Sequence, residues 1–186
     1  MKAVFLDRDG TIVEDKEGYL YETSKLQFLP GAIEGLKLLQ QAGYALIIIT
    51  NQSGIARGIY AEKEYLAFRT EMNAGLKKQG VSIKAEFYCP HHPQAAIEKY
   101  RKDCLCRKPK PGMLEQAIAM YHIAPEQSWT IGDKGADIQA GLAAGTKAIG
   151  IISHEKESGK ENSKSAGAEF ICNNLEEAAQ YIQTHS

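Results

Sequence analysis

The sequence predicts an α/β fold: a three-layer, doubly wound, mostly parallel sheet. Two observations carry that prediction. Short apolar runs of strand length alternate along the chain with amphipathic stretches of helical length. Polar and charged residues gather directly after several of the apolar runs, where sheets of this kind bind ligands. A third observation is scale: 186 residues, 44% of them hydrophobic, suffice for one compact domain with a substantial core and are short for two. Residues 1–186 are therefore expected to form a single domain.

The strand-like runs fall at 2–6, 44–50, 84–88, 128–132, 147–152 and 168–172. The first, Ala3-Val4-Phe5-Leu6, is apolar throughout, as a strand buried on both faces requires. Between the first two runs, 31–41 places Ile33, Leu36 and Leu39 at helical spacing, with Pro30 before it and Gly43 as a stop. The stretch 62–79 is long and amphipathic and ends at Gly80, and 111–122 carries Leu114, Ala117, Ile118 and Tyr121 on one face. A short Ala-rich helix is expected at 137–144, closed by Gly145, and a last helix at 175–183. Strand followed by helix, repeated, implies right-handed crossovers and a sheet covered on both faces. The polar segment 154–167 reads as a mobile surface loop.

Bulk properties narrow the function classes. A formal net charge of -1 gives no long-range attraction for nucleic acid. The longest apolar run, 44–49, is far short of the ~20 residues that span a bilayer. The N-terminus lacks a basic segment followed by an apolar stretch and a cleavage site. The expectation is a soluble cytoplasmic monomer acting on a small molecule, without membrane or nucleic-acid partners. There is no internal repeat and no low-complexity tract.

The chemistry gathers at strand ends. Asp7-Arg8-Asp9-Gly10-Thr11 follows the first run, Thr50-Asn51-Gln52-Ser53-Gly54 the second, and Gly132-Asp133-Lys134 the fourth, with Asp137 beyond. Arg107 and Lys108 precede a predicted helix. Two carboxylates about 5 Å apart repel by roughly 3 kcal/mol at an effective dielectric of 20, and a third adds to that. Without compensation at least one would hold its proton. A divalent cation reverses the sign, and oxygen ligands favour magnesium, which keeps several waters and often binds a substrate phosphate as well. Each group alone has an ordinary explanation: acids capping a turn, turn residues after a strand, charges on a helix dipole, a solvated lysine. Together, at successive strand ends of one sheet, they point to a phosphoryl site.

A second cluster is made by Cys89, His91, Cys104 and Cys106, spaced C-x-H, twelve residues, C-x-C. Three thiolates and one imidazole complete a tetrahedral zinc set and leave no open position, so this zinc would be structural. The alternative is a set of small buried thiols beside a surface histidine. Against it, the segment 93–103 is too polar to make a core of its own. The zinc loop, about 89–106, would staple the chain beside Arg107 and Lys108.

DRDGT, TNQSGIARG, CRKPKPGM and GDKGADIQAG resemble the haloacid dehalogenase (HAD) superfamily of phosphatases. YCPHHP and CLCRKPKPGM are similar more narrowly to the D-glycero-D-manno-heptose-1,7-bisphosphate 7-phosphatase family. The resemblance runs from Met1 to about Ile152. It implies a HAD-like Rossmannoid core with no large cap domain and removal of the 7-phosphate from a heptose bisphosphate. It implies that Asp7 is the nucleophile and Asp9 the general acid and base, with magnesium on the Asp7 carboxylate, the Asp9 carbonyl and the Asp133 carboxylate. Thr50, Asn51 and Lys108 would neutralise phosphoryl oxygens. Arg107, Lys134, Gln52, Ser53 and Tyr19 would contact substrate, and Asp137 would orient Lys134 or a metal-bound water. The segment 13–19 looks one residue longer than the family pattern. Histidinol-phosphate phosphatase is the alternative within the superfamily. A zinc-loop module binding nucleic acid and a scaffolding protein are the alternatives outside it.

Overall fold

The computed structural model describes residues 1–16, 18–152, 164 and 166–185, and the loop expected at 154–167 lies almost wholly outside them. Six strands among the described residues form one sheet: β1 (Ala3–Leu6), β2 (Ala45–Asn51), β3 (Ile83–Cys89), β4 (Trp129–Gly132), β5 (Lys147–Ile151) and β6 (Phe170–Cys172). Their order is β3-β2-β1-β4-β5-β6, and each neighbouring pair is parallel. The order reverses beside β1, which pairs with β2 in the register Val4↔Leu46 and with β4 in the register Val4↔Trp129. A crevice therefore opens outside the carboxyl ends of β1, β2 and β4.

The helices are α1 (Ala32–Gln41), α2 (Ser53–Arg57), α3 (Glu62–Lys78), α4 (Gly112–Tyr121), α5 (Gly135–Ala143) and α6 (Leu175–Thr184). Strand periodicity divides the core into two layers. Val4 and Leu6 face one side with Leu46, Ile48, Ile131 and Ile149, covered by Leu36 of α1, Phe68 and Met72 of α3 and Ile182 of α6. Ala3 and Phe5 face the other with Ile47 and Ile49, against Met113, Leu114 and Ala117 of α4 and Ala140 of α5. All four β1 residues are fully buried, which is why that run shows no polar alternation. Truncating Leu6 to alanine would cost about 2–5 kcal/mol, the usual range for a large buried aliphatic.

The predicted fold class is borne out, and the differences are local. α5 begins at Gly135 rather than 137, because Asp137 sits in its first turn and accepts the Lys134 backbone N–H at 3.0 Å. β6 begins at Phe170 rather than 168. Helix α2, five residues long, is too short to leave a periodic signal. Helix α6 is capped by Asn174, whose side-chain oxygen accepts the Glu177 N–H at 2.9 Å. No described helix is long and apolar enough to cross a membrane.

Candidate active site

The ladder carries the backbone one residue past β1: the Asp7 N–H donates to the Ile131 carbonyl at 2.9 Å. This fixes Asp7, 5% exposed, at the crevice. The chain then turns, with the Ile12 and Val13 N–H groups donating to the Arg8 carbonyl at 2.9 and 3.1 Å. Gly10 holds a φ of +80°, and a Cβ there would meet Asp133 Oδ2 at 2.5 Å. Only glycine lets the Asp9–Gly10 peptide lie against the Asp133 carboxylate, bringing the ends of β1 and β4 together.

Lys108 arrives from the loop before α4, just ahead of a cis Lys108–Pro109 bond. Its Nζ donates to Asp7 Oδ1 and the Ile49 carbonyl, both at 2.7 Å, and pairs with Asp137 Oδ1 at 2.6 Å. Asn51 holds the lysine backbone on both sides: its Nδ2 donates to the Lys108 carbonyl and its Oδ1 accepts the Lys108 N–H, each at 3.1 Å. Burial works against the Lys108 charge, but Asp137 and Asp7 overcome it and raise its pKa. Burial would raise the Asp7 carboxyl, yet the Lys108 and Lys134 charges hold it below the usual carboxylate range. Asp133 goes the other way: burial and then the neighbouring Asp7 charge push it up to about 7. Its cationic partner, Lys134 Nζ, lies 3.3 Å away on a side chain 62% exposed. Carboxylate oxygens of Asp7, Asp133 and Asp137 lie within 4.8 Å of one another.

Several expected contacts fall differently. Gln52, expected to touch substrate, is 1% exposed. Its Nε2 donates to Asp9 Oδ2 and Thr50 Oγ1 at 2.9 Å, and its Oε1 accepts the Tyr60 hydroxyl at 2.5 Å. The amide is thus engaged inside the protein. Asn51, expected at the phosphoryl oxygens, uses its side chain on the Lys108 backbone. Asp137 does not orient the Lys134 ammonium; it pairs with the Lys108 ammonium and caps α5 at the Lys134 backbone. Asp9 directs its carboxylate to Arg8 and Gln52. Thr50 is buried at the end of β2, and Ser53 opens α2. Arg107 lies at the zinc loop, its Nη1 donating to the His91 carbonyl at 3.4 Å. Tyr19, with a φ of 64°, lines a cavity of about 480 Å³ whose wall is formed chiefly by residues 14–27 together with Ile59. None of Asp7, Asp133 or Lys108 lines that cavity.

The four zinc candidates meet as a compact cluster. Cys89, Cys104 and Cys106 place their sulfurs 3.1–3.4 Å apart, and His91 Nδ1 lies 3.4 Å from Cys106 and 3.7 Å from Cys89. A tetrahedral zinc with bonds near 2.3 Å needs edges of about 3.8 Å, a small expansion of this arrangement. Burial raises the Cys89 and Cys106 thiols and lowers His91, whereas hydrogen bonds with Cys106 and Cys89 outweigh burial at Cys104 and lower it.

A HAD-hydrolase-like family model matches residues 105–178. The D-glycero-beta-D-manno-heptose-1,7-bisphosphate 7-phosphatase of Photorhabdus laumondii is 49% identical over 149 residues, 79% of each chain. The enzyme of that name from Escherichia coli is 40% identical over 183 residues, 97% of this chain and 93% of the relative. The chain belongs to this phosphatase family. A solved structure of the D,D-heptose 1,7-bisphosphate phosphatase of B. bronchiseptica, complexed with magnesium and phosphate, superposes with a TM-score of 0.85 at 28% identity, covering all of both chains.

Two features of this family member escape a reading of its sequence. Arg8 lies between two aspartates with no cue to its surroundings, yet it is fully buried. The bridge from Lys108 to Asp137 has no cue, since it joins a loop to a helix far along the chain. The nearest available signal is the sign pattern: a lysine that must neutralise several crowded acids has to stand between two of them.

Proposed function

We propose that this chain hydrolyses the 7-phosphate of D-glycero-β-D-manno-heptose 1,7-bisphosphate and leaves the anomeric phosphate. The observation that carries this reading is the Asp7–Lys108–Asp133 rim, in a chain 40% identical over 97% of its length to an enzyme named for that reaction. The relatives named above carry the heptose name, which disfavours histidinol phosphate as substrate.

The Asp7 carboxylate, kept ionised by Lys108, attacks phosphorus and forms an aspartyl-phosphate. The P–O bond to the sugar breaks, and Asp9 gives its proton to the departing oxygen. Asp9 then takes a proton from water as that water attacks the same phosphorus, which frees Asp7 and releases phosphate. Lys108, whose Nζ lies 2.7 Å from Asp7 Oδ1, is placed to offset charge growing on the transferred group. The Thr50 hydroxyl, at the end of β2, is the second group we assign to that task. The donor set at the rim fits magnesium: Asp7 and Asp133 supply carboxylates, and Gly10 lets the Asp9 peptide reach Asp133. Bound there, magnesium would supply positive charge against the phosphoryl oxygens.

Cys89, His91, Cys104 and Cys106 would hold a structural zinc that fixes the loop carrying Arg107 and Lys108. Arg107, with its planar fork, is assigned to substrate oxygens. Lys134, Ser53 and the cavity wall at Tyr19 are assigned to the sugar end. We take residues 1–186 as one domain working as a monomer in the cytoplasm.

Phosphorus NMR of the reaction tests the reading. With magnesium, the signal of the 7-phosphate should vanish while the anomeric signal persists, and kcat/KM for histidinol phosphate should be far lower. Loss of the anomeric phosphate first, or faster turnover of histidinol phosphate, overturns it.

A further inference from the structure

Arg8 is 0% exposed, although it sits in the turn between two site aspartates. Burying an unpaired charge costs several kcal/mol, and this guanidinium is paired through Nε and Nη2 while its Nη1 is buried without a hydrogen-bond partner. Its Nε donates to Asp9 Oδ1 at 2.7 Å, and its Nη2 donates to Asp9 Oδ2 at 2.9 Å, a two-pronged grip on one carboxylate. The same Nη2 donates to the Leu20 carbonyl at 2.7 Å, and its distance to Gln52 Oε1 is 3.4 Å. The guanidinium lies over the rings of Phe68 and Tyr65 on α3, at 4.7 and 5.5 Å from their centroids. Tyr65 is itself pinned, its hydroxyl donating to Glu86 Oε1 at 2.5 Å.

Asp9 is thus gripped from the interior by two side chains, Arg8 and Gln52. The grip continues outward. The Tyr60 hydroxyl donates to Gln52 Oε1, and the Tyr60 ring stacks on Tyr21 with centroids 4.8 Å apart. Leu20 and Tyr21 belong to the wall of the 480 Å³ cavity. An apolar residue at position 8 would fill the same space without a charge to bury. What arginine adds is a counter-charge and a fixed direction for the Asp9 carboxylate.

We infer that Arg8 is a positioning residue: with the Gln52 amide, its buried guanidinium fixes the orientation of the Asp9 carboxylate from the interior and links that orientation to the cavity wall at Leu20 and Tyr21. The inference rests on the roles proposed above for Asp7 and Asp9 and adds the device that orients the second of them.

A leaving-group comparison separates positioning from general structural support. An alkoxide leaves only with a proton, so its departure depends on a well-aimed Asp9, whereas p-nitrophenolate leaves without one. The ratio kcat/KM covers the steps through the first departure, whatever limits later turnover. For Arg8→Met, kcat/KM on an alkyl phosphate should fall at least tenfold more than on p-nitrophenyl phosphate. Arg8→Lys should fail to restore the ratio, because an ammonium cannot grip both carboxylate oxygens in a plane. Tyr60→Phe should move the ratio in the same sense by a smaller factor. An equal fall on both esters, or no fall, overturns the inference. Should Arg8→Met not fold, as read by circular dichroism, Gln52→Met decides by the same ratio. The alkyl ester is heptose bisphosphate when the wild type turns it over and glycerol phosphate when it does not. In the second case the substrate reading fails while this comparison is still read; a wild type inactive on every ester sinks both.

Discussion

Replacing Asp133 by asparagine should stabilise the magnesium-free protein at pH 8. Asp133 is held at about 7 in the fold by burial and by the Asp7 charge, against an ordinary value of 3.8. Between those two values the folded chain binds the proton that the unfolded chain has released. The stabilisation is therefore complete below about pH 4 and is lost as pH rises through about 7. At about 1.36 kcal/mol per pKa unit, the ionised carboxylate costs on the order of 2–4 kcal/mol at pH 8. Asparagine keeps the shape and removes the charge. In urea denaturation of zinc-loaded protein without magnesium, the lead of Asp133→Asn over wild type at pH 5 should be less than half its lead at pH 8. At pH 8 the variant should lead by that amount, roughly 4–15 °C in Tm for a chain of this size. Adding magnesium should rescue the wild type and leave the variant unmoved. A variant no more stable at pH 8, or one with the wild-type pH slope, would refute the idea that the rim is electrostatically frustrated without its cation.

The other expectations concern single contacts. Asp7→Asn should lower phosphate release by more than about 1,000-fold, since it removes the proposed nucleophile, while zinc content by atomic absorption stays unchanged. Lys108→Met should cost about 3–5 kcal/mol in urea denaturation, because it leaves the Asp7 and Asp137 carboxylates buried without their shared cation. Adding Asp137→Asn to that variant should recover part of the loss; a fully additive second loss would contradict the bridge. Cys104→Ser should lower bound zinc below one per chain and reduce kcat/KM at least tenfold with magnesium saturating. Unchanged turnover in zinc-free protein would show that the Lys108 loop holds itself.

Strands β1, β2, β4 and β5 were legible because they are buried on both faces, so their apolar runs stand out against helices of another period. The spacing of Cys89, His91, Cys104 and Cys106 was legible for a different reason: four ligands so close in a polar segment have few other uses. The amides were not. Asn51 and Gln52 follow a strand as substrate-facing residues would, but both turn inward, one to the Lys108 backbone and one to Asp9. A side chain that donates and accepts equally well carries no mark of which partner it will find. Arg8 was hidden because nothing in a sequence distinguishes a guanidinium laid on Phe68 and Tyr65 from one in water. Helix α2 left no period to read.

The link between Asp7 and Lys108 joins positions 101 residues apart. During synthesis Asp7 leaves the ribosome long before the Lys108 cation that steadies it, and Asp133 emerges later still. Shorter nascent chains hold a reactive aspartate with neither its counter-charge nor the strand that seats it. Nascent chains that stop short of Asp133 should therefore be inert toward phosphate esters.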